Sequence, residues 1–273
     1  MDTPTSKKTD APGESPVRRF MMTLAYDGTN FNGWQIQPGD PSVQEQIQKA
    51  LAIALRRPVS ITGAGRTDTG VHARTMTAHF DTDHPAPDTP AVLKTLNAIL
   101  RPDITIHSIA PVHDEAHARF DAEWRTYRYF VNTVPDPFRQ GHSLYVPRPL
   151  DFEAMNREAA DLLGTKDFTS FSKLHTDTKT NICTVTHAAW HQTAPGQWYF
   201  EITANRFLRN MVRAIVGTLL HIGSHPTEPS HIARVLAALD RGAAGSSASA
   251  KGLFLWDITY PYPIIPSPLP DHI

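Results

Sequence analysis

Between residues 20 and 109 the chain switches between strand and helix hydrophobic periods in an order that narrows the fold more than any other feature. Residues 20–26 (FMMTLAY) read as a strand stopped by the turn signal Asp27-Gly28. Ser42 with Glu45 forms an S-x-x-E capping box, after which Val43, Ile47, Leu51 and Leu55 share one helical face up to Arg57-Pro58. Strands follow at 59–62 and 75–80. Thr89 as N-cap and Pro90 at the first helical position start a second helix, with Val92, Leu96, Ile99 and Leu100 as its stripe. Residues 104–109 alternate as a strand. The order is β-α-β-β-α-β, the split ferredoxin-like arrangement.

The rest of the chain repeats this order loosely. Residues 124–131 form a strand with Arg125, Tyr127 and Tyr129 on one face. Asp151 caps a helix carrying Phe152, Met155, Ala159 and Leu162, ended by Gly164. Two strands are expected near 182–190 and 198–203, a long helix from about Arg206 to His221, another from Ser230 to Leu239, and a closing strand at 253–258. The fold class is α+β, in two ferredoxin-like (RRM-like) halves with a largely antiparallel sheet and flanking helices. The expected division is a disordered tail at 1–17, halves at 18–112 and 113–262, and a C-terminal tail at 263–273.

Between the short β-branched run Val59, Ile61 and the strand at 75–80 lies GAGRTDTGVHAR, residues 63–74, with three glycines, two arginines, Asp68 and His72. A loop of this composition presents polar groups and permits close backbone approach. It is not a dinucleotide fingerprint, because Asp68 stands where the last glycine belongs and would repel a pyrophosphate. Nor is it a P-loop, having no lysine. From spacing alone the plainer reading is an Asx turn in which Asp68 bonds its own backbone.

Net charge sets limits on partners. At −1 over 273 residues, with a pI near 6.9, the chain does not coat nucleic acid indiscriminately, so any RNA contact is local. Arginines are grouped at 18–19, 56–57, 66 and 74, 119 to 128, and 206 to 213, while acidic residues gather at 81, 83 and 88. No apolar run approaches the roughly 18 residues a membrane span needs, and no signal peptide opens the chain. A cytoplasmic location is expected, and the single cysteine, Cys183, fits a reducing compartment.

Several segments taken together resemble a known family. Arg66 to Ala73 (RTDTGVHA) is similar to the R-T-D-A-G-V-H-A loop of tRNA pseudouridine synthases of the A type, with Thr69 in place of alanine. Tyr26-Asp27-Gly28 with Gly33-Trp34-Gln35-Ile36-Gln37 resembles that family's Y-D-G…G-W-Q-x-Q segment. Residues 118–129 resemble its A-R-F…R-x-Y-x-Y strand, residues 205–213 its N-x-F…M-V-R segment, and residues 252–255 its closing G-L-x-L strand. The matches span roughly residues 20 to 260.

The resemblance implies a pseudouridine synthase fold with a central active-site cleft, and isomerisation of uridine to pseudouridine at positions 38, 39 and 40 of the tRNA anticodon stem-loop. It implies Asp68 as covalent nucleophile, Arg213 as its charge partner and Tyr127 as the ring that stacks on the base. Leu253 or Leu255 packs against the base, with Leu253 favoured. Arg66 is placed on the flipped nucleotide's phosphate or in the gap left in the stem, and Arg125 and Arg209 on substrate. Within the long helix Arg206, Arg209 and Arg213, at i, i+3 and i+7, read as a basic stripe. A homodimer is implied as well, with tRNA as the partner.

The chemistry explains the residue types. A carboxylate can attack C6 of the ring or C1′ of the sugar and so divide a hard step into two. An arginine within several ångströms keeps it ionised, and an aromatic face replaces part of the stacking a flipped base loses. No step calls for a cofactor.

No metal is expected either. Of three H-x-x-x-H pairs, His113/His117 encloses Asp114 where a zincin needs glutamate, and His221/His225 straddles Gly223 at a helix end. His187/His191 lies in a strand, where i and i+4 sit about 13 Å apart. Cys183 reads as packed, and His72 as the donor or acceptor of a structural hydrogen bond. Two rival readings remain. A non-catalytic pair of RNA-recognition modules lacks its aromatic RNP1 strand here, and a nucleotide-binding oxidoreductase lacks its glycine fingerprint.

Overall fold

The computed structural model describes residues 18–82, 88–173, 179–225, 229–265 and 269. The expected tail at 1–17, and that at 263–273 apart from residues 263–265 and 269, lie outside the described residues. The first half runs β1 (Arg18–Tyr26), α1 (Val43–Leu55), β2 (Ile61–Gly63), β3 (His72–Thr82), α2 (Thr89–Ile99) and β4 (Ile104–Pro111). The second runs β5 (Trp124–Asn132), β6 (Leu144–Tyr145), α3 (Phe152–Ala159), β7 (Gly164–Asp167), β8 (Ile182–Ala194), β9 (Gln197–Ala204), α4 (Met211–Ser224), α5 (His231–Ala238) and β10 (Leu253–Thr259).

All the described strands join one sheet, ordered β4-β1-β3-β10-β5-β9-β8-β7, with β2 added to β3 and β6 to β5. The local orders β4-β1-β3-β2 and β10-β5-β9-β8 are the same split ferredoxin arrangement, so the loose repeat read from the sequence is present in space. Pairing is antiparallel except at β5–β6 and β3–β10. Strand β2 covers only Ala78 to Phe80 of β3, which leaves the His72–Ala73 end of that edge for Phe254 and Leu255 of β10. The two halves are joined there.

Alternation then divides the apolar residues between two cores. In the first, Met22 and Leu24 of β1 meet Ile47 and Leu51 of α1 and Met76 of β3, joined by Leu255 and Ile258 from the far end of the chain. The second packs Tyr129, Phe200 and Ile202 under Ile215 and Leu219 of α4, and takes in Val71 from the loop before β3. Fully burying an aliphatic side chain of this size contributes about 1.5–3 kcal/mol. Tyr127 is packed against both cores. It sits on the seam.

Helix ends depart from the sequence reading in instructive ways. Ser42 caps α1 by accepting from the Glu45 N–H at 3.3 Å, but the Glu45 carboxylate turns away to Lys49 Nζ at 2.6 Å. The cap of α2 is Asp88, which accepts from Ala91 N–H at 3.2 Å, so Thr89 is already helical. The largest correction concerns α4. It begins at Met211, because Asn210 is left-handed (φ 67°) and breaks the helical backbone. Arg206 and Arg209 therefore lie in the approach to the helix, and the three arginines form no stripe.

One segment without a signal in the sequence holds α4 in place. Residues 244–249 run along the helix, with Gly245 N–H donating to Thr218 Oγ1 at 2.9 Å and Ala248 N–H to the Arg213 carbonyl at 2.9 Å. The approach requires glycine at 217, where a Cβ would collide with the Ser246 carbonyl and stand 3.1 Å from Ala248 N. Replacing Gly217 with alanine forces this strap off the helix. A loss of about 1–3 kcal/mol is expected, measured by urea denaturation.

Candidate active site

Loop 63–71 is held from below by the residues that precede α1. Tyr26 and Thr67 share a hydrogen bond between hydroxyls at 2.8 Å, and Gly70 N–H donates to the Phe31 carbonyl at 3.2 Å. Gly33, at φ +86°, lies so close to the loop that a Cβ there would meet the Thr67 carbonyl oxygen and stand 3.2 Å from the Asp68 carbonyl carbon. The Y-D-G…G-W-Q segment is therefore the bed of the loop. The Asp68 carbonyl accepts from Val71 N–H at 3.1 Å, closing a turn, and Val71 is buried in the second core.

The Asp68 carboxylate does not bond its own backbone, as a plain Asx turn would have it. Its Oδ2 faces Arg213 Nη1 at 3.5 Å, with both side chains about three-quarters shielded (27% and 23% exposed). Arg213 is aimed by the strap, because its Nε donates to the Ala248 carbonyl at 2.8 Å. The guanidinium thus has one edge fixed by backbone and the other turned to the carboxylate.

Tyr127 completes the cluster. Burial, and after it the negative charge of Asp68, pushes its phenol up to about 12, so it is a neutral ring at physiological pH. Its plane is fixed edge-on by Phe207 at 5.0 Å between centroids. Apolar spacing assigns Phe207 to a helix face; the break at Asn210 is what frees it to reach Tyr127.

The remaining expected residues divide. Arg66 lies beside Asp68 in the loop, with no hydrogen bond or ion pair among the described residues. Arg209 is exposed in the approach to α4. Arg125 braces the chain. Its Nη1 donates to the carbonyls of Ala122 (2.6 Å) and Asn205 (2.8 Å) and its Nη2 to that of Arg119 (2.8 Å). Burial lowers its pKa, and three of its five N–H donors are used in these bonds. Both leucines are buried, yet it is Leu255 that stands opposite Tyr127 in the β10–β5 ladder, whereas Leu253 stands opposite Tyr129. Cys183 is buried and pushed up to about 11, a packed thiol.

His72 is wholly buried, and its bonds are structural. Gly28 N–H donates to its Nδ1 at 3.0 Å, its Nε2 faces the Lys251 carbonyl at 3.2 Å, and its ring stacks on Phe254 at 4.4 Å. Asp27 Oδ1 stands 3.1 Å from the same Nδ1, and Asp27 Oδ2 meets His142 Nε2 at 2.7 Å. These three groups lie close enough to suggest a metal site. With both ring nitrogens of His72 already engaged, the arrangement is a hydrogen-bonded brace under the loop. The sequence carries no sign of His142. A second cluster, His187, His191 and Glu201, lies on another part of the sheet.

Comparison with known proteins shows the family. The family model described as tRNA pseudouridine synthase matches residues 22–121 and 159–261. The chain belongs to the tRNA pseudouridine synthase family. Among its relatives, tRNA pseudouridine synthase A of Parabacteroides distasonis is 52% identical over 250 residues, covering 92% of this chain and 99% of the relative. The enzyme of the same name from Porphyromonas gingivalis is 51% identical over 247 residues (90% and 98% covered), and that from Bacillus subtilis 40% identical over 248 (89% and 99%). The chain is thus an isomerase of tRNA uridine, as the resemblance implied. Among the described residues, no helix is long and apolar enough to cross a membrane.

Two outcomes follow from the bracing of the synthase loop. Gly33→Ala would displace the Thr67–Asp68 backbone, costing about 1–3 kcal/mol of stability in thermal melts and most of the activity. The Asp27–His142 pair makes stability depend on pH. Asp27, bonded by His142 and flanked by His72, is held far below the usual carboxylate range, so its contribution is lost only in strong acid. His142, raised above 6.5 by Asp27, contributes fully below that value, and the contribution fades as pH rises through the raised one. The two side chains are about a third or more exposed (35% and 40%), so the effect is under about 1 kcal/mol. In urea titrations His142→Gln should be less stable than wild type near pH 6 and converge with it at alkaline pH.

Proposed function

We propose that this synthase isomerises uridine to pseudouridine at positions 38, 39 and 40 of the tRNA anticodon stem-loop, with Asp68 as covalent nucleophile on a flipped-out uridine. The observation that carries the reading is the pairing of Asp68 with Arg213 at 3.5 Å beside the neutral ring of Tyr127. A carboxylate, a fixed cation and an aromatic face are the three groups the reaction needs, and they come from three distant parts of the chain.

The reaction breaks the C1′–N1 bond, turns the uracil and joins C1′ to C5; N1 gains a proton and C5 loses one to solvent. Asp68 attacks C6 or C1′, and either attack holds the intermediate to the enzyme so that the base is not lost. Arg213 keeps the attacking carboxylate ionised and oriented. Tyr127 stacks on the uracil, a contact worth about 1–3 kcal/mol, which offsets part of the unstacking cost. Leu255, opposite Tyr127, and Leu253 behind it close the apolar floor beneath the base.

Arg66, next but one to Asp68, holds the flipped nucleotide's phosphate, and Arg209 adds a further phosphate contact. Such contacts fix position without reading sequence, which suits an enzyme that modifies neighbouring nucleotides. Arg125 acts indirectly, by bracing the segments that carry Arg119 and Asn205. The chain works as a homodimer in the cytoplasm, one tRNA touching both subunits.

The test is tritium release from tRNA transcripts labelled with [5-³H]uridine, with the modified positions mapped. Wild type should release tritium at the anticodon-stem positions, Asp68→Asn should release none, and Arg213→Lys should be slower by about 10²-fold, since a lysine keeps charge without the fixed geometry. Equal release by wild type and Asp68→Asn would remove Asp68 from the chemistry. Release at other positions only would overturn the substrate assignment.

A further inference from the structure

Strand spacing speaks against a metal at His187 and His191, yet the side chains converge where the backbone positions do not. Both residues lie on β8 and point to the same face of the sheet, with Ala189 between them on that face. Ala189 has only a methyl group, and the two rings lean over it to stack at 5.7 Å between centroids and 14° between planes. Glu201 on β9 is the register partner of Ala189, so its carboxylate rises between the two imidazoles.

The donors converge. One ligand atom from each of His187, His191 and Glu201 lies within 4.8 Å of the others, and His187 Nε2 stands 3.5 Å from Glu201 Oε1. An ion bound at about 2.0–2.1 Å by tetrahedral ligands holds its donor atoms about 3.3 Å apart, so small side-chain adjustments suffice. His187 Nε2 and His191 Nε2 are both shielded from solvent and find no hydrogen-bond partner among the described residues. Leaving such nitrogens unsatisfied is costly. The carboxylate is oriented from behind: Arg128 Nε donates to Glu201 Oε2 at 2.6 Å, and the guanidinium is itself seated over Trp256 (4.2 Å) and Tyr199 (4.6 Å). That leaves Oε1 turned to the imidazoles, an outer support of the kind metal ligands have.

We propose that His187, His191 and Glu201 form a binding site for a divalent transition-metal ion of the zinc class. Two imidazoles and one carboxylate suit zinc, cobalt, nickel or copper, and not magnesium or calcium, which require more oxygen ligands. Such an ion ties β8 to β9 on the face of the sheet opposite the isomerisation site. Arg128 and Tyr127 are neighbours on β5 and point to opposite faces, so the ion has no path to Asp68 and takes no part in the isomerisation. Its effect is on stability.

The test uses the full chain without a histidine tag. Titration with Zn²⁺ should show one ion bound per chain with Kd about 10 μM or tighter, and Co²⁺ should give the visible absorption of an imidazole-bound ion. His187→Ala and His191→Ala should each weaken binding at least about tenfold and abolish the Co²⁺ band. His221→Ala, which removes another stacked histidine pair, should change neither. Far-UV circular dichroism and unchanged tRNA isomerisation in EDTA establish that the variants are folded. Retained affinity in the His187→Ala/His191→Ala double variant would overturn the proposal, as would the absence of binding by wild type up to about 1 mM.

Discussion

Two residues of β3, His72 and Ala73, pair with Phe254 and Leu255 of β10, and the molecule depends on this short parallel ladder. Among the described strands it is the one place where the first half's sheet meets the second's. It also begins four residues beyond Asp68. Whatever fixes β10 against β3 therefore fixes the end of the loop that bears Asp68, and whatever fixes β5 against β10 brings Tyr127 alongside. Extended strands register in steps of one residue with alternating faces, so a slip in either ladder would turn Tyr127 away from the site.

A second consequence of the seam is that neither core is complete without the other half of the chain. Leu255 and Ile258 fill the first core and Val71 fills the second. The loop bearing Asp68 is anchored on one side by Phe31 and Tyr26 and at its end by burial of Val71 and His72. A polar loop pinned in this way has little conformational freedom left to lose. The strap at 244–249 serves the same end from the opposite side, since the Ala248 carbonyl aims Arg213.

Much of this is legible from residues. The hydrophobic periods yield the β-α-β-β-α-β order because period 2 and period 3.6 are properties of the backbone and need no partner. Ser42 and Asp151 are recognisable as caps for the same reason. The start of α4 is not legible, because apolar spacing continues through Phe207 and Leu208 while the backbone turns left-handed at Asn210. Nor is the strap: GAAGSSASAKG has the composition of a linker, and its hydrogen bonds are made largely by backbone groups that any sequence carries. His142 gives no local sign either, for its partner Asp27 is 115 residues away. Spacing misleads at His187 and His191, where a distance between backbone positions says nothing about rings that lean together over an alanine.

By itself the sequence determined the elements, their order and, through the RTDTGVHA, R-T-Y-R-Y and N-R-F…M-V-R segments, the family. These are encoded in contiguous residues, and local periodicity or a fixed run of side chains is enough to read them. Only the tertiary structure decided which charged groups face the site and which merely support it. It drew Arg125 onto three carbonyls, placed Leu255 opposite Tyr127 and gathered His187, His191 and Glu201 around one point. Each of these depends on strand register or on a backbone break, and both are settled by packing between segments far apart in the chain.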